Sequence, residues 1–141
     1  MTRFDARHGR RALYLLPYAA EDELPEGVTL PDSAVCARMG GAEKEIYPEV
    51  FDSLGAALLE AAKPADVIVI DELGYLEAEA HGFREAVLNT LRGTKPVVGV
   101  VRQGFGAWRD APLGELVTVT AENRDSVPET VLAWLRRETG G

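Results

Sequence analysis

The most informative segment of the chain is Ala65-Asp66-Val67-Ile68-Val69-Ile70-Asp71-Glu72-Leu73-Gly74-Tyr75-Leu76-Glu77. Four consecutive aliphatic residues run from Val67 to Ile70 with no polar interruption. A strand with one solvated face alternates apolar and polar residues, whereas a continuous apolar run is typical of a strand covered on both faces. Such strands belong to parallel sheets, so we expect an α/β fold with a mainly parallel sheet sandwiched by helices.

This strand leads into two carboxylates, Asp71 and Glu72. In open α/β sheets, ligands bind beyond the carboxyl ends of the strands. An apolar strand followed by Asp-Glu is the form of a Walker B segment, in which the Asp would hold Mg²⁺ and the Glu would polarise the water that attacks a γ-phosphate. A buried strand that merely ends in two solvated acids is the alternative interpretation of these residues alone.

The composition argues against several classes of protein. The chain has 141 residues, enough for a single domain, with 46% hydrophobic and 27% charged residues. Its net charge of −8 argues against binding to a nucleic acid duplex, which needs a basic face. Cys36 is the only cysteine, so we expect neither a disulfide framework nor a cysteine-based zinc site. The sequence shows no signal peptide and no apolar run of membrane-spanning length, so we expect a cytoplasmic protein without membrane contact.

The domain is expected to have three parts. Residues 1–17 are predicted to form a β-hairpin that turns at His8-Gly9. Residues 18–47, rich in proline and acids, are predicted to be an irregular excursion with at most a short strand near residues 28–30. Residues 48–141 are predicted to form the α/β core.

Within the core, the pattern predicts three helices and two further strands. Apolar spacing predicts helices over residues 48–62, after Glu77, and after Ser126, with Trp134 in the core. The predicted strands are Val97–Val101, which is followed by Arg102, and Leu116–Thr120, with a glycine-rich loop between them that is long enough to act as a lid.

The segment from Arg38 to Lys44 contains a glycine pair and a lysine, as a phosphate-binding loop does. None of the three lysines follows a glycine, and the printed chain contains no G-x-x-x-x-G-K-[ST] sequence. We therefore expect an ordinary turn at Gly40-Gly41.

Taken as a set, these segments resemble the cancer-related nucleoside triphosphatases, small P-loop NTPases of the RecA/AAA-like branch. The resemblance covers nearly the whole chain and follows the order and approximate spacing of four segments: Asp66–Glu77, Phe83–Val87, Lys95–Arg102 and Val119–Asp125.

The resemblance implies roles for five residues. Asp71 matches the Mg²⁺-binding aspartate and Glu72 the catalytic glutamate. Arg102 falls where this branch often keeps a polar or basic residue that faces the phosphates. Asn123 and Arg124 match an Asn-Arg pair near the presumed nucleotide pocket. The substrate would be a nucleoside triphosphate, ATP or GTP.

Glu77 also matches the family pattern, and its sequence position leaves two structural roles open: it could anchor the loop after the strand, or it could cap the following helix.

One part of the family pattern has no counterpart in the printed chain. Members of the family open with a strand, a glycine-rich P-loop and a helix, whereas the segments matched here all follow that unit. We therefore expect the chain to be a poor NTPase alone and to need a P-loop-bearing polypeptide as partner. The alternative is a non-catalytic, nucleotide- or protein-binding regulatory relative. Without a P-loop strand, strand 97–101 should either pair directly with 116–120 or face an exposed apolar groove.

Overall fold

The computed structural model describes residues 2–17, 30–104, 108, 111–112 and 114–140. It confirms the predicted α/β class, with a parallel sheet and helices. The strands are β1 Thr2–Asp5, β2 Arg10–Tyr14, β3 Val35–Gly40, β4 Glu43–Ile46, β5 Ile68–Leu73 and β6 Val97–Val101. The helices are α1 Pro48–Val50, a π-helical turn Phe51–Gly55, α2 Ala56–Ala62, α3 His81–Leu91 and α4 Val127–Glu138, with a short 3₁₀ turn at Asp32–Ala34.

The first four strands form an antiparallel sheet in sequential order. The predicted N-terminal hairpin is confirmed as β1 and β2. The prediction that residues 18–47 are irregular is wrong for residues 35–46, which form a second hairpin whose first strand pairs with β2. Ala12 and Ala37 are fully buried in this sheet. Small residues of this kind give a weak hydrophobic signal, which is why the pattern did not reveal β3. Residues 28 and 29 of the possible short strand lie outside the described residues.

The second hairpin turns where the glycine pair predicted a turn. Gly40 pairs with Glu43, and Gly41 has a φ of +58°, which glycine adopts without the steric cost of a side chain. A turn rather than a phosphate-binding loop is therefore confirmed at this position.

The aliphatic run and the two acids that follow it form β5, which pairs in parallel with β6. The register joins Ile68 to Val97 and Ile70 to Gly99, then shifts before Leu73 pairs with Val101. The backbone N–H of Arg102 donates to the Leu73 carbonyl at 2.9 Å, so it continues the ladder beyond the last pair.

The core lies between β5 and the helices on one of its faces. Phe51 from the π-helical turn and Phe83 from α3 stack with ring centroids 5.6 Å apart. The helix over residues 48–62 is confirmed, but its buried residues are Phe51, Gly55 and Leu59, whereas the apolar pattern predicts a face of Phe51, Leu54, Leu58 and Ala61. The π-helical turn rotates the helix face, because it adds a residue to one turn.

The other face of the parallel pair is open in the described part of the chain. Val69 and Val100 expose 45% and 56% of their surface. This face of β5 and β6 is therefore only partly covered at these two valines among the described residues.

The predicted strand Leu116–Thr120 does not form. All five residues are exposed, with Leu116 at 70%, and none of them pairs with β6. The backbone of residues 118 and 120 instead bonds to the side chain of Asn123. A β-prone sequence becomes a strand only where another strand satisfies its backbone groups, and these residues have no such neighbour among the described ones.

The C-terminal helix α4 is confirmed, but Trp134 is half-buried rather than a core residue, and α4 has no buried residue. Ser126 does not cap the helix through its side chain; its hydroxyl donates to the Asn123 carbonyl at 2.9 Å. Among the described ranges, no helix combines the length and apolar composition that crossing a bilayer requires.

Candidate functional site

The two carboxylates of the central stretch lie in a β-bulge near the carboxyl end of β5. Asp71 and Glu72 fall between the pairs Ile70–Gly99 and Leu73–Val101, so these two residues oppose Val100 alone. Glu72 has a φ of +63° and is the only non-glycine residue of the described chain in that region. This conformation costs a non-glycine residue about 1–2 kcal/mol. The bulge leaves both acidic residues exposed.

Glu72 meets a cation from the neighbouring strand. Arg102, the residue that follows β6, places a guanidinium nitrogen 3.5 Å from Glu72 Oε1. The two side chains are 54% and 53% exposed, and exposed pairs of this kind contribute about 0–1 kcal/mol to stability. Folding alone therefore gives little reason for Glu72 to occupy a strained position here.

The loop after β5 is anchored by a buried acid. Glu77, 4% exposed, accepts a hydrogen bond from the backbone N–H of Gly74. The Gly74 carbonyl in turn accepts from the indole nitrogen of Trp108, at 3.3 Å. Of the two structural roles that the sequence left open for Glu77, this contact supports loop anchoring.

Trp108 comes from the glycine-rich loop that follows β6. It is 1% exposed, so this point of the loop is packed against the candidate site. Residues 105–107, 109–110 and 113 of the proposed lid lie outside the described residues.

Two cations share the ring of Tyr75, which follows Gly74. Lys44, from the second hairpin, places Nζ 3.2 Å from the ring centroid, and Arg102 places its guanidinium carbon 5.5 Å from the same centroid. Neither Lys44 nor Tyr75 was a predicted site residue. In the sequence, Lys44 stands out only because it lies shortly after the Gly40-Gly41 pair. That segment does not match the motif of a phosphate-binding loop.

Asn123 and Arg124 are not joined to this group by any hydrogen bond, ion pair or ring contact within the described residues. The Asn123 amide donates to the Thr118 carbonyl at 2.8 Å and accepts from the Thr120 N–H at 2.7 Å. These contacts hold the turn before α4. The far end of α4 contributes Glu138 to a surface cavity that Asp66 also lines, near the amino end of β5.

Comparison with known proteins places the chain in a family. The profile of the NTPase family matches residues 30–132, which is most of the chain. The chain belongs to the NTPase family.

Individual relatives agree with this assignment. Nucleoside-triphosphatase THEP1 of Methanocaldococcus jannaschii is 35% identical over 89 residues, which cover 62% of this chain and 51% of the relative. The protein of the same name from Thermococcus kodakarensis is 38% identical over 85 residues, 60% of this chain and 47% of the relative. The chain therefore spans about half the length of the curated relatives it matches. No solved structure matches it significantly.

The buried Glu77 gives a prediction about the pH dependence of stability. Burial is the main cause that raises the pKa of Glu77 above its ordinary value, against the opposing effect of the Gly74 N–H. The folded chain therefore binds this proton more tightly than the unfolded chain does, so folding loses free energy as the pH rises through the interval between the ordinary and the raised pKa. Glu77→Gln removes this titration, so the stability of the variant relative to the wild type should increase across that interval.

Urea unfolding at a series of pH values from about 4 to 8 measures the difference. Glu79→Gln, at an exposed acid of the same loop, is the matched control for the substitution itself. A flat or falling difference for Glu77→Gln would show that Glu77 is not held in the folded state with a raised pKa.

Proposed function

We propose that this chain supplies the metal- and water-binding side of a nucleoside triphosphatase site, which hydrolyses NTP to NDP and phosphate. Asp71 holds Mg²⁺, as in a Walker B segment, Glu72 orients the attacking water and accepts its proton, and Arg102 faces the phosphates. The observation that carries this proposal is the bulged Asp71-Glu72 pair. Its glutamate occupies a strained conformation 3.5 Å from Arg102, in a chain of the NTPase family.

The donor set fits Mg²⁺. This ion prefers oxygen ligands and usually takes one or two carboxylates, with waters and substrate phosphates completing its shell. Asp71 and Glu72 offer exposed carboxylates, and no cluster of three or more acidic, histidine or cysteine side chains suited to a metal was found in the described ranges. A site with so few protein ligands suits a metal ion that binds as a complex with the nucleotide. When bound, Mg²⁺ would neutralise charge on the phosphate oxygens.

The site also needs a cradle for the phosphates, and we propose that a P-loop on a second polypeptide supplies it. Parallel sheets are ordinarily covered on both faces, and a two-stranded sheet is marginal alone. The exposed Val69 and Val100, on the open face of β5 and β6, offer an apolar surface for such a segment. Without the cradle, positioning of the γ-phosphate is incomplete, so the chain alone is a poor enzyme.

Asn123 and Arg124 belong to the proposal in different ways. Because both polar groups of the Asn123 amide bond to the backbone, we assign Asn123 the role of holding the turn before α4. Arg124 is exposed, and in this proposal its guanidinium contacts the nucleotide.

Binding of a fluorescent ATP analogue with and without Mg²⁺ tests the proposed function. We expect Mg²⁺ to strengthen binding to the wild type by about tenfold, and Asp71→Asn to remove this gain, since Asp71 would hold the ion. Asp66→Asn, an exposed acid at the opposite end of β5, is the control and should keep the gain. An equal Mg²⁺ effect in wild type and Asp71→Asn would contradict the proposal and favour a relative that has lost the chemistry.

A further inference from the structure

Of the two cations on the ring of Tyr75, Arg102 already has a proposed role and Lys44 has none. Lys44 Nζ lies 3.2 Å from the ring centroid and the Arg102 guanidinium carbon 5.5 Å from it. Both distances are measured to one point, so the two charges lie within the sum of these distances. Two cations held this close to each other repel, unless an anion lies between or beside them.

Strand alternation explains why Lys44 is directed to this place. Successive side chains of a strand point to opposite faces, so Lys44 points away from its neighbours Glu43 and Glu45. Both of these acids pair with Arg10 on the other face, Glu45 at 3.2 Å. Within the described residues Lys44 forms no ion pair. The acids nearest in sequence are thus neutralised elsewhere, and the lysine is left for another partner.

The local electrostatics agree with this geometry. Desolvation, and secondly the charge of Arg102, lower the pKa of Lys44 below its ordinary value. Among the described residues, no carboxylate offsets this effect. An anion beside the pair would favour the charged ammonium and relieve the repulsion.

The positions of the basic and acidic side chains around Tyr75 indicate the class of ligand. Lys44 and Arg102 both lie over the ring of Tyr75, and Arg102 is also within 3.5 Å of Glu72, which has Asp71 beside it in the bulge. A simple anion would be repelled by the two carboxylates, and a bare cation would be repelled by the two basic groups. A metal–polyphosphate complex carries both positive and negative charge, so its phosphates can bind the two basic groups while its metal binds the carboxylates.

We propose that Lys44 and Arg102, which share the ring of Tyr75, form a two-cation clamp that binds the terminal phosphates of the Mg²⁺–nucleoside triphosphate. This assignment rests on the proposed function for the identity of the nucleotide. It adds Lys44, a residue of the second hairpin, to the phosphate-binding groups and so makes the antiparallel sheet part of the site.

Inorganic tripolyphosphate with Mg²⁺ is the probe, since it carries the phosphates without the base. Its affinity would be measured by titration calorimetry on the full chain. Lys44→Met keeps the aliphatic stem and should weaken binding by about tenfold, the effect expected for one lost charge-assisted contact. Lys44→Arg should stay within about threefold of the wild type. Lys63→Met, at an exposed lysine that pairs with Glu60, should change nothing.

Unfolding curves check that each variant is folded, and Asp71→Asn in the same titration separates this inference from the proposed function. If Asp71→Asn weakens binding while Lys44→Met equals the wild type, the clamp is wrong and the metal site stands. If Lys44→Met alone weakens binding, the clamp stands and the metal site is wrong. Equal loss in Lys44→Met and Lys63→Met, or no measurable binding by the wild type, would overturn the clamp.

Discussion

Replacing Glu72 with glutamine is expected to slow NTP hydrolysis by roughly 100- to 10,000-fold in the complex that contains a P-loop partner, the range that a positioned general base supplies. Gln keeps the size of the side chain and a carbonyl oxygen but cannot accept the proton of the attacking water. Nucleotide affinity should stay within a few-fold of the wild type, because Glu72 acts on water rather than on the nucleotide. Phosphate release under single-turnover conditions measures the rate.

Two companion variants separate chemistry from conformation. Glu72→Gly relieves the positive φ, so it should be at least as stable as the wild type and still slow. Glu79→Gln, on the exposed side of the loop, should leave the rate unchanged. A Glu72→Gln complex that hydrolyses NTP at the wild-type rate would show that this glutamate is not the base.

The second large effect concerns the partner. The chain alone should hydrolyse ATP and GTP negligibly. Co-purification with a polypeptide that carries G-x-x-x-x-G-K-[ST] should raise the rate on the order of 100-fold or more, because the cradle supplies the missing positioning and electrostatic stabilisation. A practical partner is a short polypeptide that consists of a strand, this motif and a helix.

The open sheet face provides the control for this experiment. Val100→Lys places a charge on the proposed contact surface of β6 and should abolish the gain in rate. Leu132→Lys, at a similarly exposed aliphatic residue on α4, should preserve it. Ordinary turnover by the chain alone that disappears in Glu72→Gln would contradict the need for a partner.

Local sequence predicted the elements whose signals are strong within a single segment. The aliphatic run 67–70 gave β5, helical spacing gave α3, and the glycine pair gave the turn before β4. The strand predicted at residues 116–120 failed because strand formation depends on a neighbour that the local pattern does not contain. The hairpin at 35–46 was missed because it is held by long-range pairing to β2 and by small buried residues.

The candidate site also contains residues that the local sequence predicted and residues that it did not. Asp71 and Glu72 could be named because they adjoin the strand that holds them, and Arg102 because it follows the strand beside it. Lys44 lies 31 positions before Tyr75, and nothing in the spacing of the chain relates the two. Only the fold brings the second hairpin to the end of β5. The bulge and the positive φ of Glu72 were also invisible in the sequence, since they come from the register between β5 and β6.

The most direct test of the account locates the metal on the isotope-labelled chain itself. Mn²⁺ replaces Mg²⁺ together with ATP, and paramagnetic broadening of backbone amide signals reports which residues lie near the ion, even when binding is weak. We expect the amides of residues 70–75 and 101–104 to broaden first, and Asp71→Asn to remove this selectivity. Broadening centred on other acidic surfaces such as β4, or an unchanged pattern in Asp71→Asn, would contradict the claim that the bulge of β5 holds the metal and the phosphates.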